Sequence, residues 1–430
     1  MRDVDVLIHG ERIDKIANSI PVPDATDILD AAGRYLMPGM IDDQVHFREP
    51  GLTDKGDMAT ESAAAVAGGI TSFMDMPNVN PQTTTREALA DKYRAAKGRA
   101  RANYAFYLGA TNRNLEEIKA LRVSDACGIK VFMGASTGNM LVDNPDVLEK
   151  IFASAPILVA THCEHSPTIR DNEARAKAEF GADVPMSEHP KIRSAIACLT
   201  SSSVAVDLAR RHGTRLHVLH LTTAIEMGLL SRASRHEKNI TAEVCVHHLW
   251  FDESRYADLG TRIKCNPAIK SSKDREALIA AVNDRRVDII ATDHAPHTAA
   301  EKRRGYFKAP AGLPLVQHAL QALFDLARDG QISLETVVDR TSHAVADIFG
   351  VANRGYVREG YFADLVLVDA NKPFAVEPAN LLYKCHWSPF EGHTFRSTVE
   401  ATVVNGTIVY QDGKLTGDVA GQRLEFNRGR

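Results

Sequence analysis

The segment Asp42-Asp43-Gln44-Val45-His46-Phe47-Arg48-Glu49-Pro50-Gly51 follows the apolar run 35–41 and ends it in alternating carboxamide, imidazole and guanidinium groups. Side chains at the carboxyl end of a buried strand converge on one pocket, so this phrase marks a place for metal coordination beside anion binding. Other runs end the same way. Lys130 lies within Gly128-Ile129-Lys130-Val131-Phe132-Met133-Gly134, His162 closes 157–162, His220 closes 215–220, and Asp293 follows 287–292. Imidazole nitrogens and a carboxylate suit Zn²⁺ with one position left open for water. A protonated lysine has no lone pair for a metal, but reaction with CO₂ would turn Lys130 into an anionic carbamate able to bridge two ions. Taken singly, a histidine at a strand end is an ordinary hydrogen-bonded residue, and Lys130 is a lysine reaching solvent. Five such residues at five strand ends outweigh that reading.

The elements that must position them are short apolar runs at 39–46, 69–75, 104–109, 128–133, 157–162, 215–220, 239–246 and 287–292, with helical patterns between them at 58–67, 87–97, 115–121 and 195–211. Eight strands alternating with helices predict an α/β fold, a (β/α)8 TIM-like barrel. A doubly wound sheet is the rival, but it does not explain polar residues gathering at so many strand ends. Outside the barrel both chain ends read as β. A strand near residues 4–10 and tail strands around 364–368 and 401–410, with hairpin signals Asn405-Gly406 and Asp412-Gly413, predict a small composite domain. The expected division is 1–37 for its first part, 38–354 for the barrel and 355–430 for its second part.

Composition narrows the function classes. A chain of 430 residues, 44% apolar, holds one large core and a small second domain. Its 51 basic and 55 acidic residues give a net charge of -4 with no extended basic block, which argues against nucleic acid. The arginines of 98–101 and 423–430 read as solvated surface. Six cysteines without a CxxC pair indicate a reducing, cytoplasmic setting. The amino terminus reads as neither a signal peptide nor an anchor, and no apolar run suggests a membrane span.

Four phrases carry a family resemblance: Val45-His46-Phe47-Arg48-Glu49-Pro50-Gly51, Asp75-Met76-Pro77-Asn78, Ala291-Thr292-Asp293-His294-Ala295-Pro296-His297 and Trp387-Ser388-Pro389-Phe390-Glu391-Gly392. In this order the chain resembles the dihydroorotases of the cyclic amidohydrolase superfamily almost end to end. The resemblance implies reversible hydrolysis of L-dihydroorotate to N-carbamoyl-L-aspartate in pyrimidine synthesis. It implies that His162 and His220 bind a more exposed metal, that carbamylated Lys130 bridges, and that His46 and Asp293 hold a more buried one. A metal-bound hydroxide then attacks the ring amide carbonyl, with Asp293 as proton shuttle. Arg48, Asn78 and His297 are implied around the substrate carboxylate, and strand alternation would set Arg48 beside His46 with Phe47 pointing away. Asn266 and the backbone at Gly312 are implied at the ring.

Gln44 departs from the family phrase, which normally has histidine there. A carboxamide oxygen is a weaker zinc ligand than imidazole, so the expectation is one or two Zn²⁺ per subunit with Gln44 as a further ligand. Glu243, His247 and His248 read as supports around the ligands. The resemblance also implies a homodimer. Two other readings stand beside it: a catalytically silent partner subunit, favoured by Gln44, and a hydantoinase or dihydropyrimidinase-like enzyme, whose usual substrates lack the anion that Arg48 would bind.

Overall fold

The computed structural model describes residues 3–22, 27–134, 140–417 and 419–428. The strand runs expected from sequence appear in order, as Met40–Val45, Ile70–Asp75, Asn103–Phe106 continuing as Leu108–Gly109, Ile129–Phe132, Val159–His162, Leu216–Val218, Ile240–Cys245 and Ile289–Ala291. Nearly every residue in them is buried, because helices cover one face and barrel-interior side chains fill the other. Pairing is parallel throughout, in one three-stranded and one six-stranded sheet. The two sheets meet at Tyr107, between the strands 103–106 and 108–109. On the far side, among the described residues, only an isolated bridge, Val45 to His294, spans the first and last strands. The parallel sheet is therefore not closed by continuous pairing, unlike the sequence expectation. Here side chains take over from the ladder: Thr292 donates to Asp42 through its hydroxyl at 2.6 Å and through its backbone N–H at 3.2 Å.

Helix boundaries follow local chemistry. Met58–Ala67 starts at Asp57, whose carboxylate accepts from Ala59 and Thr60 while Thr60 returns a bond to the cap. Arg86–Ala96 and Ala195–His212 begin at Thr85 and Ser194 in the same capping role. The stretch Met186–His212 has enough length and apolar character for a membrane span, which the sequence reading did not anticipate, but more than half of it is buried in the protein.

The tail strands Leu365–Asp369, Thr398–Val404, Thr407–Gln411 and Lys414–Leu415 form an antiparallel sheet. It is joined on its edge by Tyr35–Pro38. The sequence expectation had placed the first strand of the chain in this ladder. Asp5–His9 instead pairs with its immediate neighbour Arg12–Ala17, since a short hairpin closes more readily than a long loop. Asn405-Gly406 and Asp412-Gly413 each turn with both residues at positive φ, the geometry that matches the right-handed twist of the flanking strands. At Gly406 a Cβ would meet the Gly10 carbonyl oxygen at 2.0 Å. Gly406→Ala should therefore lower the unfolding free energy by about 1–3 kcal/mol in chemical denaturation. A midpoint matching the parent would refute the requirement for glycine.

The tail arginines are not all solvated. Arg428 donates to the carbonyls of Phe349, Val123 and Ala126 and so ties the last described turn to the main body; residues 429–430 lie outside the described residues.

Candidate active site

Val45 ends the first barrel strand, and the next three residues break the alternation on which the sequence argument relied. Phe47 donates its backbone N–H to Asp75 at 2.8 Å and packs its ring on Phe73. Arg48 then adopts φ 69°, so left-handed backbone, not strand alternation, sets its direction. His220 at φ 39° and Asp293 at φ 48° share this conformation just after their own strands. Three strained non-glycine residues at the ends of barrel strands are a mark of a functional site.

Gln44, His46, Arg48, Asn78, Lys130, His162, His220, Asn266, Asp293 and Gly312 line one pocket together with Phe132, Ala295 and Ala311. Of the residues singled out from sequence, His297 stands just behind that lining, bonded to Arg48.

His162 and His220 turn ring nitrogens toward each other, Nδ1 to Nε2, at 3.0 Å. Nε2 of His162 contacts Glu164 at 3.0 Å, and Glu164 pairs with Arg193. A carboxylate on one ring nitrogen fixes the proton there and leaves the other nitrogen's lone pair pointing inward, as in metal-binding histidines. Glu243 orients His220 from below by accepting its backbone N–H at 3.1 Å, and His220 Nδ1 is buried without a partner among the described residues. Burial lowers both imidazole pKa values, so both rings are neutral donors. Their spacing is close to the donor edge of about 3.3 Å expected for tetrahedral zinc with bonds near 2.0 Å.

The second group is His46, Asp293 and Gln44. His46 Nδ1 lies 2.8 Å from Asn78 Oδ1, and its Nε2 lies 3.2 Å from Asp293 Oδ1. If Nδ1 carries the proton toward Asn78, Nε2 and the Asp293 oxygen face each other as two acceptors, an arrangement that a cation relieves. Gln44 Nε2 donates to the same Asp293 oxygen at 3.0 Å. Burial alone would raise the Asp293 pKa, but the surrounding His46, His247 and Lys130 together offset it and hold the carboxyl below its usual range. Between the two groups lies Lys130, 1% exposed, with its pKa pushed down to about 8 by burial. Among the described residues its Nζ makes no hydrogen bond or ion pair, and it lies 4.7 Å from the Phe132 ring. The donor set fits a divalent cation: neutral imidazoles and an ionised carboxylate face one cavity, with the Lys130 side chain between them.

Arg48 is 4% exposed, donating from Nε to Pro296 O at 3.0 Å and approaching His297 Nε2 with Nη2 at 3.1 Å. Its Nη1 has no hydrogen bond among the described residues. His297, pushed down to about 3 by burial and by Arg48, is neutral. Trp387 donates its indole N–H to the His297 carbonyl at 2.7 Å, which gives the Trp387 phrase a physical purpose. Gly312 has φ 141°, and a Cβ there would meet Ala295 O at 2.4 Å. Asn266 Oδ1 is buried and has no partner among the described residues.

Sequence reasoning missed several residues. Lys302 donates to the carbonyls of Lys264, Pro310 and Gly312, fixing the loop that carries Gly312. Asp43, His217 and Glu243 form a buried polar cluster linked to His220 through Glu243. Asp43 and His217 lie inside their strands and gave no strand-end signal.

Comparison with known proteins adds to this geometry. A family model described as the amidohydrolase family matches residues 35–409. The chain is 34% identical over 424 residues to a dihydroorotase of Halobacterium salinarum, covering 98% of this chain and 96% of that protein. It is 28% identical over 439 residues to an allantoinase of Desulfitobacterium hafniense, covering 99% and 95%. Among solved structures it is similar to the L-hydantoinase (dihydropyrimidinase) of Arthrobacter aurescens, with a TM-score of 0.92, 26% identity and coverage of 98% and 96%. That likeness identifies a TIM-barrel-type fold.

Proposed function

The chain belongs to the amidohydrolase family, and we propose that it is a dihydroorotase, interconverting L-dihydroorotate and N-carbamoyl-L-aspartate in pyrimidine synthesis. The observation that carries the choice of substrate is the buried Arg48 guanidinium at the wall of the pocket, since it demands an anion. His297 is neutral and Lys55 is paired with Glu301 at 2.8 Å. Arg48 is thus the cation of the clamp.

The metal is read as zinc, one or two ions per subunit, with His162 and His220 holding one and His46 and Asp293 the other; Gln44 turns its Nε2 to Asp293 and its Oε1 toward Cys245. When bound, the cation supplies a nucleophilic water near neutral pH and polarises the carbonyl under attack. Lys130 is read as carbamylated. With its pKa near 8, about a tenth of it is free amine at pH 7, against roughly one part in three thousand at the ordinary value, and only free amine reacts with CO₂.

The remaining steps belong to the protein. Arg48 Nη1 and Asn78 Nδ2 hold the substrate carboxylate, while Asn266 and the Gly312 backbone orient the ring. Asp293 takes the proton of the attacking water. As the ring C–N bond breaks, the water oxygen stays on the new carboxyl group and the proton passes from Asp293 to the departing nitrogen. The reverse sequence closes the ring.

The same reading treats 1–37 and 355–430 as one small β domain around the 38–354 barrel. Ile13, Ala363, Leu365 and Val403 share a hydrophobic cluster that supports it. A cytoplasmic homodimer completes the proposal.

The test is turnover of dihydroorotate, allantoin and an uncharged hydantoin by one purified preparation, before and after chelation. Dihydroorotate should be preferred, chelation should abolish turnover, and Zn²⁺ with bicarbonate should restore it. Faster turnover of the uncharged ring would transfer the assignment to a hydantoinase, and no turnover after reloading would favour a silent subunit.

A further inference from the structure

The Ile240–Cys245 strand runs without a loop into the helix Val246–Trp250. That junction places a thiol at the strand end and two imidazoles in the first helical turn. Cys245 Sγ and one ring nitrogen from each of His247 and His248 lie within 4.8 Å of one another. All three residues are buried, His247 completely.

Their hydrogen bonding is incomplete. His248 Nε2 lies 3.2 Å from the Pro267 carbonyl, so its proton sits on Nε2 and its Nδ1 lone pair is left buried without a partner. Among the described residues, His247 finds no hydrogen-bond partner for either ring nitrogen. Burial lowers the His247 pKa to about 4 against the Asp293 charge and a weak contact with the Thr292 backbone, a contact that falls short of hydrogen-bond distance and angle. Burying polar atoms without partners is costly, and three in one cluster call for an occupant. The occupant must accept lone pairs.

A water molecule can donate only two hydrogens. A cation can accept from the sulfur and both nitrogens together. One thiolate and two neutral imidazoles form a softer set than the nitrogen and oxygen donors of the pocket described above, and that set suits zinc. Gln44 Oε1, on the first barrel strand and so beyond the intervening Ile289–Ala291 strand, lies 4.0 Å from Cys245 Sγ and supplies a fourth, oxygen donor. The residue that weakens the coordination expected at the first strand thus borders a second coordination set.

We propose that Cys245, His247 and His248 form a Zn²⁺ site separate from the catalytic set, with Gln44 Oε1 as the fourth ligand. Binding replaces the Cys245 thiol proton with the metal and releases that proton to solvent. The site is structural: with three protein side chains and the Gln44 amide around the ion it has no position open to substrate.

Cobalt substitution tests it through a readout independent of turnover. The catalytic donors contain no sulfur, so a thiolate-to-cobalt charge-transfer band in the near ultraviolet reports this site alone. Full-length protein loaded with Co²⁺ should show the band and bind one ion more than the Cys245→Ser variant. Cys265→Ser is the control, because Cys265 Sγ contacts the Pro267 carbonyl at 3.2 Å and stands 3.8 Å from His248 Nε2; the band should survive there. Absence of the band in cobalt-loaded parent protein would overturn the site without requiring any variant to fold. Loss of the band in Cys265→Ser but not in Cys245→Ser would overturn the ligand assignment. Failure of dihydroorotate turnover leaves this result unaffected, so the two readings are tested separately.

Discussion

Asp293→Asn should reduce kcat for dihydroorotate hydrolysis by about 10²–10⁴-fold, the usual contribution of a positioned proton acceptor. KM should change by less than about threefold, because Arg48, Asn266 and Gly312 are untouched. The substitution is nearly isosteric. Oδ1 can still accept from Gln44 Nε2, now at 3.0 Å, and can still face His46 Nε2, so the pocket keeps its hydrogen-bond frame. What disappears is the negative charge that stabilises a transferred proton. Metal analysis on the same preparation is part of the experiment, since Asp293 is also read as a ligand. Unchanged metal content with kcat within threefold of the parent would remove Asp293 from proton transfer. A proportional loss of metal and activity would assign it to coordination alone.

The legibility of this site in the sequence has a physical boundary. Strands such as Ile129–Phe132 and Val159–His162 could be read directly, because burial on both faces selects continuous apolar runs and leaves Lys130 and His162 as conspicuous exceptions. The Asn405-Gly406 and Asp412-Gly413 turns were equally plain, since positive φ at both positions restricts the residue types. Arg48 was found for a partly mistaken reason. Strand alternation predicted its face, but the chain leaves the strand at Val45 and a local left-handed residue redirects it. Such a change depends on the Phe47 N–H meeting Asp75 from another strand, and no local pattern encodes that meeting. The Asp43, His217 and Glu243 cluster was hidden for a related reason. Its members come from three strands, two of them adjacent, with Asp43 reaching the other two from a separate sheet, so only the folded barrel brings them together. The position of Tyr35–Pro38 at the edge of the tail sheet likewise follows from a partner more than three hundred residues away.

If Arg48 is what selects an anionic ring, Arg48→Met is the sharper test of substrate. Hydrogen bonds to charged groups contribute about 1.5–3 kcal/mol, so kcat/KM for dihydroorotate should fall roughly 10–200-fold. The aliphatic stem of methionine fills much of the same space, while Pro296 O and His297 lose their donor. That loss acts on every substrate alike. An uncharged dihydropyrimidine never used the guanidinium, so its kcat/KM should move less than about threefold. The ratio of the two therefore isolates the carboxylate contact from any general loosening of the pocket. Neighbouring charges are poorly placed to compensate: Lys55 is engaged by Glu301, and Lys302 is committed to three backbone carbonyls. Equal losses for charged and uncharged rings would mean that Arg48 only supports the loop carrying Pro296 and His297, and the anionic substrate would then have to be recognised elsewhere.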